Sequence, residues 1–106
     1  MKLFNENDSG VQALILCPTR ELCIQTGKEF SIFSKYIDKL KTLAVYGRAN
    51  IHPQIKALKQ GVQIVTGTPG RILDLIKCFV LAEFNQFLDY YEGAEDKSEL
   101  LILTGR

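Results

Sequence analysis

Three short apolar runs, each followed by a stretch with helical spacing, constrain the fold of this chain more than any other feature. The runs are VQALILC (residues 11–17), KTLAVYG (41–47) and VQIVTG (62–67). Near-continuous apolar runs are typical of strands buried on both faces of a parallel sheet. Alternation of such strands with helices predicts an α/β fold, a three-layer parallel sheet with helices on both faces joined by right-handed crossovers.

The predicted helices have start and stop signals in the expected places. The first begins at Arg20 and ends near Tyr36, with an apolar face and candidate core residues at Leu22, Thr26, Phe30, Phe33 and Ile37. The second is short, with Pro53 near its start and Gly61 at its stop. The third has Thr68 as the cap and Pro69 in the first position, and its inward side chains are Ile72, Leu73 and Ile76.

The organisation beyond Lys77 is less regular. CFVLAEF (78–84) predicts a fourth strand, NQFLDYYEGAEDKSE (85–99) a helix and an acidic loop, and LLILTG (100–105) a fifth strand. We expect residues 1–10 to be a polar leader and residues 11–106 to form one domain, of which 78–106 are divergent.

Charge and cysteine content exclude several classes of protein. Lys and Arg total 13 against 12 Asp and Glu, so the net charge of +1 gives no global attraction to nucleic acid, and any anion site must be local. Three cysteines without CxxC spacing favour neither a disulfide framework nor a zinc site, which suggests a reducing compartment. Because no apolar run approaches the roughly 20 residues of a membrane span, we expect a cytoplasmic protein without a membrane partner.

Unusual residues follow all three predicted strands. The clusters are Pro18-Thr19-Arg20-Glu21, Gly47-Arg48 and Thr68-Pro69-Gly70-Arg71. Ligands of open parallel sheets bind outside the carboxyl ends of the strands, and helix N-termini attract phosphate. The glycines permit close backbone approach and the arginines add positive charge, so the clusters predict contact with successive phosphates of one nucleic acid strand, without base recognition.

Each cluster also has a purely structural interpretation. Thr-Pro-Gly is an ordinary cap-and-turn sequence, and an arginine near a helix start often pairs with a carboxylate such as Glu21. The occurrence of three clusters on one predicted sheet edge favours the ligand hypothesis.

Two segments, ALILCPTREL and GVQIVTGTPGRILDLI, resemble the first RecA-like domain of DEAD-box RNA helicases. The resemblance covers residues 10–77 and implies a partial RecA-like domain of the P-loop NTPase type, with ATP and Mg as cofactors of the full-length family. It also implies RNA sugar-phosphate contacts at residues 18–21 and 68–71. The family's Gly-Gly falls on Gly47-Arg48, so a bulky charged side chain stands where close approach is usual; RNA is either clamped more tightly or blocked.

The nucleotide-binding part of that resemblance is weak in this chain. A P-loop needs GxxxxGK followed by Ser or Thr, and the look-alike TGKE (26–29) lies inside the first predicted helix and ends in Glu. FVLAEFNQFLD resembles the segment around the family's Asp-Glu-Ala-Asp, with only Glu83 retained; Ala82 could not hold magnesium through water. Glu83 is therefore either a weak catalytic candidate or a solvated strand-end residue, and we expect no metal site and no ATP hydrolysis.

These observations predict an incomplete helicase domain that contacts the RNA backbone weakly and independently of sequence. The alternatives are a non-catalytic protein-interaction module and a small-ligand α/β domain. Exposed apolar surface would favour the interaction module. The single histidine, His52, has no nearby ligand set, which favours a surface or capping role.

Overall fold

One four-stranded sheet organises the fold, in a computed structural model that describes residues 10–78, 80, 81, 84 and 101–104. The strand order is β2-β3-β1-β4. The strands are β1 (Ala13–Leu16), β2 (Thr42–Val45), β3 (Ile64–Gly67) and β4 (Leu101–Thr104). Both β1 and β2 pair with β3 in parallel, which confirms the parallel arrangement predicted for the three apolar runs.

Strand β4 departs from the parallel pattern. It pairs with β1 in the antiparallel direction, with Ala13 opposite Thr104 and Leu16 opposite Leu101. The sheet is therefore mixed, with one antiparallel edge strand on a parallel core, an arrangement that is common in α/β folds. The strand predicted within LLILTG exists, and its antiparallel direction, which the sequence analysis does not predict, adds a mixed edge to the predicted parallel sheet.

Helices cover both faces of the sheet, as predicted. They are α1 (Arg20–Ser34), α2 (Ile51–Gln60) and α3 (Pro69–Lys77). Successive side chains of β1 point to opposite faces: Ile15 packs with Cys23 of α1, whereas Leu14 and Leu16 pack with residues of α2 and α3. In the part of the chain that the structure describes, no helix combines the length and apolarity needed to cross a bilayer.

Gly27 lets α1 lie close to the sheet. A Cβ at this position would lie 3.0 Å from the Ala44 Cβ and 3.1 Å from Thr66 Oγ1, which is tighter than ordinary van der Waals contact. The look-alike TGKE thus lies within a helix, as predicted, and its glycine serves helix-sheet packing.

The apolar face predicted for α1 is only partly buried. Phe33 is 62% exposed and Ile37 is 41% exposed, so the prediction that Phe33 belongs to the core is wrong, whereas Phe30 packs beside buried Cys23. The reason is length: 15 helical residues span about 22 Å. The four-residue strands span only about 13 Å, so the last turn of α1 extends past the sheet.

The strand predicted at residues 78–84 is not observed at the positions that the structure describes. Cys78, Val80 and Leu81 lie in turns, and Phe84 has a 3-10 conformation. Leu81 and Phe84 are nevertheless buried in the same core cluster as α2 and α3. An apolar run can enter a core as turns, and periodicity does not separate the two cases. Residues 1–9, Ala82, Glu83 and the predicted helix and acidic loop at 85–99 lie outside the described residues.

Candidate nucleic-acid interface

The three predicted strand-end clusters lie side by side at one edge of the sheet. In register, Leu16 of β1 lies opposite Gly67 of β3, which in turn lies opposite Val45 of β2. Two backbone hydrogen bonds extend this register beyond the strands: Cys17 N donates to Gly67 O at 2.8 Å, and Thr68 N donates to Val45 O at 3.1 Å. The chain therefore leaves all three strands at the same carboxyl edge.

The cluster after β1 forms the start of α1. Thr19 is the N-cap in an extended conformation, and its Oγ1 accepts a hydrogen bond from Leu22 N at 3.1 Å, while Pro18 precedes the cap and is half-buried. Arg20 and Glu21 are exposed in the first turn. The guanidinium of Arg20 stands 4.9 Å from the centroid of the Tyr46 ring, a cation-π contact. Arg20 thus rests on an aromatic side chain from the end of β2.

The cluster after β2 is a turn with an unusual backbone. Arg48 has a φ of 65°, in the left-handed region that favours glycine, and its side chain is exposed. A Cβ on neighbouring Gly47 would meet no atom within 4 Å, so that backbone faces open space. The structure therefore places an exposed cation in the strained position and leaves the approach at Gly47 open.

The cluster after β3 forms the start of α3. Thr68 is the N-cap, but its side chain makes no capping hydrogen bond; Pro69 occupies the first turn, which has no acidic residue. Gly70 is exposed, and a Cβ there would meet nothing within 4 Å. Because the first N-H groups of a helix have no partner within the helix, this end is positively polarised and uncapped by side chains.

Arg71 turns inward from the start of α3 and bridges two other segments. Its Nη1 donates to Gln54 Oε1 at 3.1 Å, and its Nη2 donates to the Ala49 carbonyl at 2.9 Å. The Nε atom is buried without a hydrogen-bond partner. Sequence reasoning expected Arg71 to contact phosphate or to orient the loop that does, and this geometry favours the orienting role.

Gln54 is a residue of the site that sequence reasoning missed. It is only 8% exposed on α2, and its Nε2 donates to the Tyr46 carbonyl at 3.3 Å. Its place on the inward face of α2, between Ile51 and Leu58 at helical spacing, was the available signal. A glutamine on an otherwise apolar face needs polar partners, which here are the loop after β2 and Arg71.

Two buried thiols lie beneath the site without adding negative charge. Burial raises the pKa of Cys23 to about 11 and also raises the pKa of Cys17, although a hydrogen bond with Thr26 opposes the shift at Cys17. Both groups are therefore neutral thiols at ordinary pH. Among the residues that the structure describes, no group of three His, Cys, Asp or Glu side chains could hold a metal ion.

Comparison with known proteins identifies the family of this chain. The profile of the DEAD/DEAH box helicase family matches residues 1–103, so the chain belongs to that family. It is 51% identical over 73 residues to the ATP-dependent RNA helicase DeaD of Buchnera aphidicola subsp. Schizaphis graminum, covering 69% of this chain and 12% of that protein. It is 50% identical over 70 residues to the DEAD-box ATP-dependent RNA helicase CshA of Streptococcus pneumoniae, covering 66% and 13%.

A further RNA helicase is similar to this chain over a comparable segment. The chain is 47% identical over 66 residues to the ATP-dependent RNA helicase DeaD of Escherichia coli, covering 62% of this chain and 10% of that protein. The chain thus spans about an eighth of the length of the curated relatives it matches. It is part of a helicase domain with a partial RecA-like fold.

Proposed function

We propose that the carboxyl edge of this sheet binds the sugar-phosphate backbone of single-stranded RNA, as one part of an ATP-dependent RNA helicase domain. The observation that carries the proposal is the start of α3, where an uncapped helix N-terminus adjoins an arginine whose partners are neutral. Arg71 donates to an amide oxygen and a backbone carbonyl. Its positive charge therefore adds to the helix dipole and attracts an anion.

The neighbouring strand ends supply further contacts to a backbone. Arg20, whose guanidinium lies over the Tyr46 ring, and Arg48, in the turn after β2, are exposed cations. Gly47 and Gly70 leave open space where a phosphate can approach the main chain. Backbone amides, hydroxyls and arginines contact phosphate without selecting a base, so the proposed binding is independent of sequence. The proposed RNA contacts are Pro18, Thr19, Arg20, Glu21, Gly47, Arg48, Thr68, Pro69 and Gly70. Arg71 belongs to the same proposed site because it orients the loop and adds positive charge.

ATP and magnesium belong, in this proposal, to the complete helicase. A metal-bound nucleotide needs a phosphate cradle and a metal-holding carboxylate, and the segment that resembles the family's Asp-Glu-Ala-Asp motif has Ala82 at the position of that carboxylate. The role of this chain in ATP-driven strand separation is then to hold one RNA strand.

A salt titration of a fluorescently labelled single-stranded RNA tests the proposal. About three neutralised phosphates give a log-log slope of the association constant against salt near −2, with weak affinity. Oligonucleotides of different base composition are expected to bind alike. Absence of binding at low ionic strength, or a strong preference for one sequence, contradicts the proposal.

A second candidate function, protein interaction, is favoured by the end of α1. Four large apolar side chains are exposed there, namely Ile32, Phe33, Tyr36 and Ile37, beside exposed Lys35 and Lys39. Exposed Asp38 lies between these lysines in sequence, so the neighbouring charges have both signs, and the apolar patch suits a partner segment with an apolar face. If this patch drives self-association instead, the sedimentation coefficient rises with protein concentration, and Phe33→Ser lowers that rise. If the sedimentation coefficient does not change with concentration, self-association through the patch is excluded.

A further inference from the structure

We propose that Gln54 is a positioning residue that holds the loop after β2 and the first turn of α3 in one arrangement, so that both strand ends engage the same RNA backbone. The inference rests on the proposed function, because it concerns how that site is assembled. Gln54 itself stays buried and contacts no RNA.

Both ends of the Gln54 amide are used. Its oxygen accepts from Arg71 Nη1 at 3.1 Å, and its nitrogen donates to the Tyr46 carbonyl at 3.3 Å. Arg71 separately donates to the Ala49 carbonyl at 2.9 Å. An amide side chain can accept from a cation and donate to a carbonyl at once, whereas a carboxylate can only accept and an ammonium can only donate.

The same residue connects to the third strand end through Tyr46. The Tyr46 carbonyl accepts a hydrogen bond from Gln54, while the centroid of the Tyr46 ring lies 4.9 Å from the guanidinium carbon of Arg20. The contacts thus run from Arg71 at the start of α3, through Gln54 and Tyr46, to Arg20 at the start of α1. Displacement of Gln54 is therefore expected to change the spacing of cations that meet successive phosphates.

Core packing alone does not require a glutamine here. The neighbours of Gln54 on the inward face of α2, Ile51, Ile55 and Leu58, belong to or pack against the apolar core. A buried amide is tolerated in such surroundings only when it is hydrogen-bonded, and an apolar side chain of similar length would pack without that requirement. The polar group thus serves the connection between the loop and α3.

The first test replaces Gln54 by methionine, which keeps the length of the side chain and removes both hydrogen bonds. The matched control is Gln60→Met, at the exposed last position of the same helix. We expect Gln54→Met to weaken RNA binding about tenfold, and to reduce the salt slope by about 0.7 for each phosphate that the protein no longer neutralises. Gln60→Met is expected to bind as the wild type does. Equal binding by Gln54→Met and wild type overturns the inference and leaves the proposed function intact.

A double variant tests whether Gln54 acts through Arg71. If it does, Gln54→Met combined with Arg71→Met binds no more weakly than Arg71→Met alone. Reductions in affinity that multiply show two independent contributions and overturn the inference.

Amide NMR spectra without RNA separate this inference from the proposed function. Gln54→Met is expected to shift the signals of residues 46–50 and 70–71. Gln54→Glu keeps an acceptor for Arg71 but has no N-H for Tyr46, so it is expected to shift mainly the signals of 46–50. If the α3 signals do not move in Gln54→Met, or move as much in Gln54→Glu, the inference fails whether or not RNA binds. If wild type binds no RNA but these signals behave as expected, only the proposed function fails.

Discussion

The starts of α1 and α3 lie at the same sheet edge and are built from similar residues, yet they differ in their capping hydrogen bonds, in the charge of the first turn and in the direction of the arginine. At α1, Thr19 caps Leu22 N, Glu21 places a negative charge in the first turn, and Arg20 points outward onto Tyr46. At α3, the Thr68 side chain caps nothing, the first turn has no acid, and Arg71 points inward.

The position of the arginine explains much of this difference. Arg20 is the first residue of α1 and lies over the Tyr46 ring, whereas Arg71 is the third residue of α3 and donates to Gln54 of α2. The carboxylate and cap at α1 already neutralise part of its dipole, while the α3 terminus retains its full attraction for an anion. For the proposed RNA interface, the comparison favours α3 as the principal phosphate contact and α1 as the source mainly of an exposed cation.

Arg71→Ala is expected to have the largest effect. Removal of the guanidinium leaves the Gln54 amide oxygen and the Ala49 carbonyl without a donor, which costs about 1–3 kcal/mol of unfolding free energy. Because the charge beside α3 also disappears, RNA affinity is expected to fall about tenfold, alike for all sequences. Urea denaturation and fluorescence anisotropy measure the two effects.

The control for Arg71→Ala is Lys28→Ala, an exposed cation within α1 and away from its N-terminus. It removes the same formal charge and is expected to change neither property by much. If Lys28→Ala weakens binding as much as Arg71→Ala, the attraction is diffuse and the proposed site is wrong.

Two glycines, Gly67 at the end of β3 and Gly70 in the first turn of α3, give the next prediction. A Cβ on Gly67 would lie 2.6 Å from Ile72 Cγ1 and 3.0 Å from Val45 Cγ2, both in the core. Gly67→Ala is therefore expected to displace α3 and cost about 1–3 kcal/mol. Gly70→Ala meets open space within a helix and is expected to stabilise the fold by about 0.5–1 kcal/mol while weakening RNA binding. A lower stability of Gly70→Ala would show that the start of α3 is more crowded than the structure indicates.

The two threonine caps provide a smaller and more direct comparison. Thr19→Ala removes a capping hydrogen bond of 3.1 Å and is expected to cost about 1 kcal/mol. Thr68→Ala removes a side chain without such a bond, so its effect on stability is expected to stay within about 0.5 kcal/mol. RNA binding should show the reverse order, with Thr68→Ala the weaker binder. Equal costs in stability for the two variants would contradict the distinction between the helix starts.

The sequence was sufficient to predict the parallel core and the position of the three strand-end clusters at one edge of the sheet. Apolar runs of strand length, a helix stop at Gly61 and a cap at Thr68 are local signals, and each corresponds to an observed boundary. The direction of β4 and the turns at residues 78–84 depend on contacts with distant segments, which periodicity does not record.

The geometry within the site was less predictable, for a related reason. The inward direction of Arg71 depends on an acceptor 17 positions away, and Phe33 is exposed because α1 is longer than the strands it covers. Both outcomes depend on how helices and strands that are distant in sequence are placed relative to each other, which the local sequence does not record. The left-handed conformation of Arg48 follows from the turn that joins β2 to α2. Arginine rarely adopts a positive φ, so the sequence did not indicate this conformation.

Arg48→Gly is expected to have the smallest effect, and an effect of opposite sign on the two properties. A non-glycine residue at a φ of 65° is strained, so glycine relieves the backbone. The greater conformational freedom of glycine in the unfolded chain opposes this gain, so the net stabilisation is expected to be at most about 1 kcal/mol.

The effect of Arg48→Gly on RNA binding has the opposite sign. Since Arg48 is an exposed cation beside Gly47, its removal is expected to reduce the RNA salt slope by about 0.7, the value for one phosphate. If Arg48 instead blocks the strand end, Arg48→Gly binds RNA more tightly than wild type, and Arg48→Ala, which keeps the backbone strain, shows the same gain.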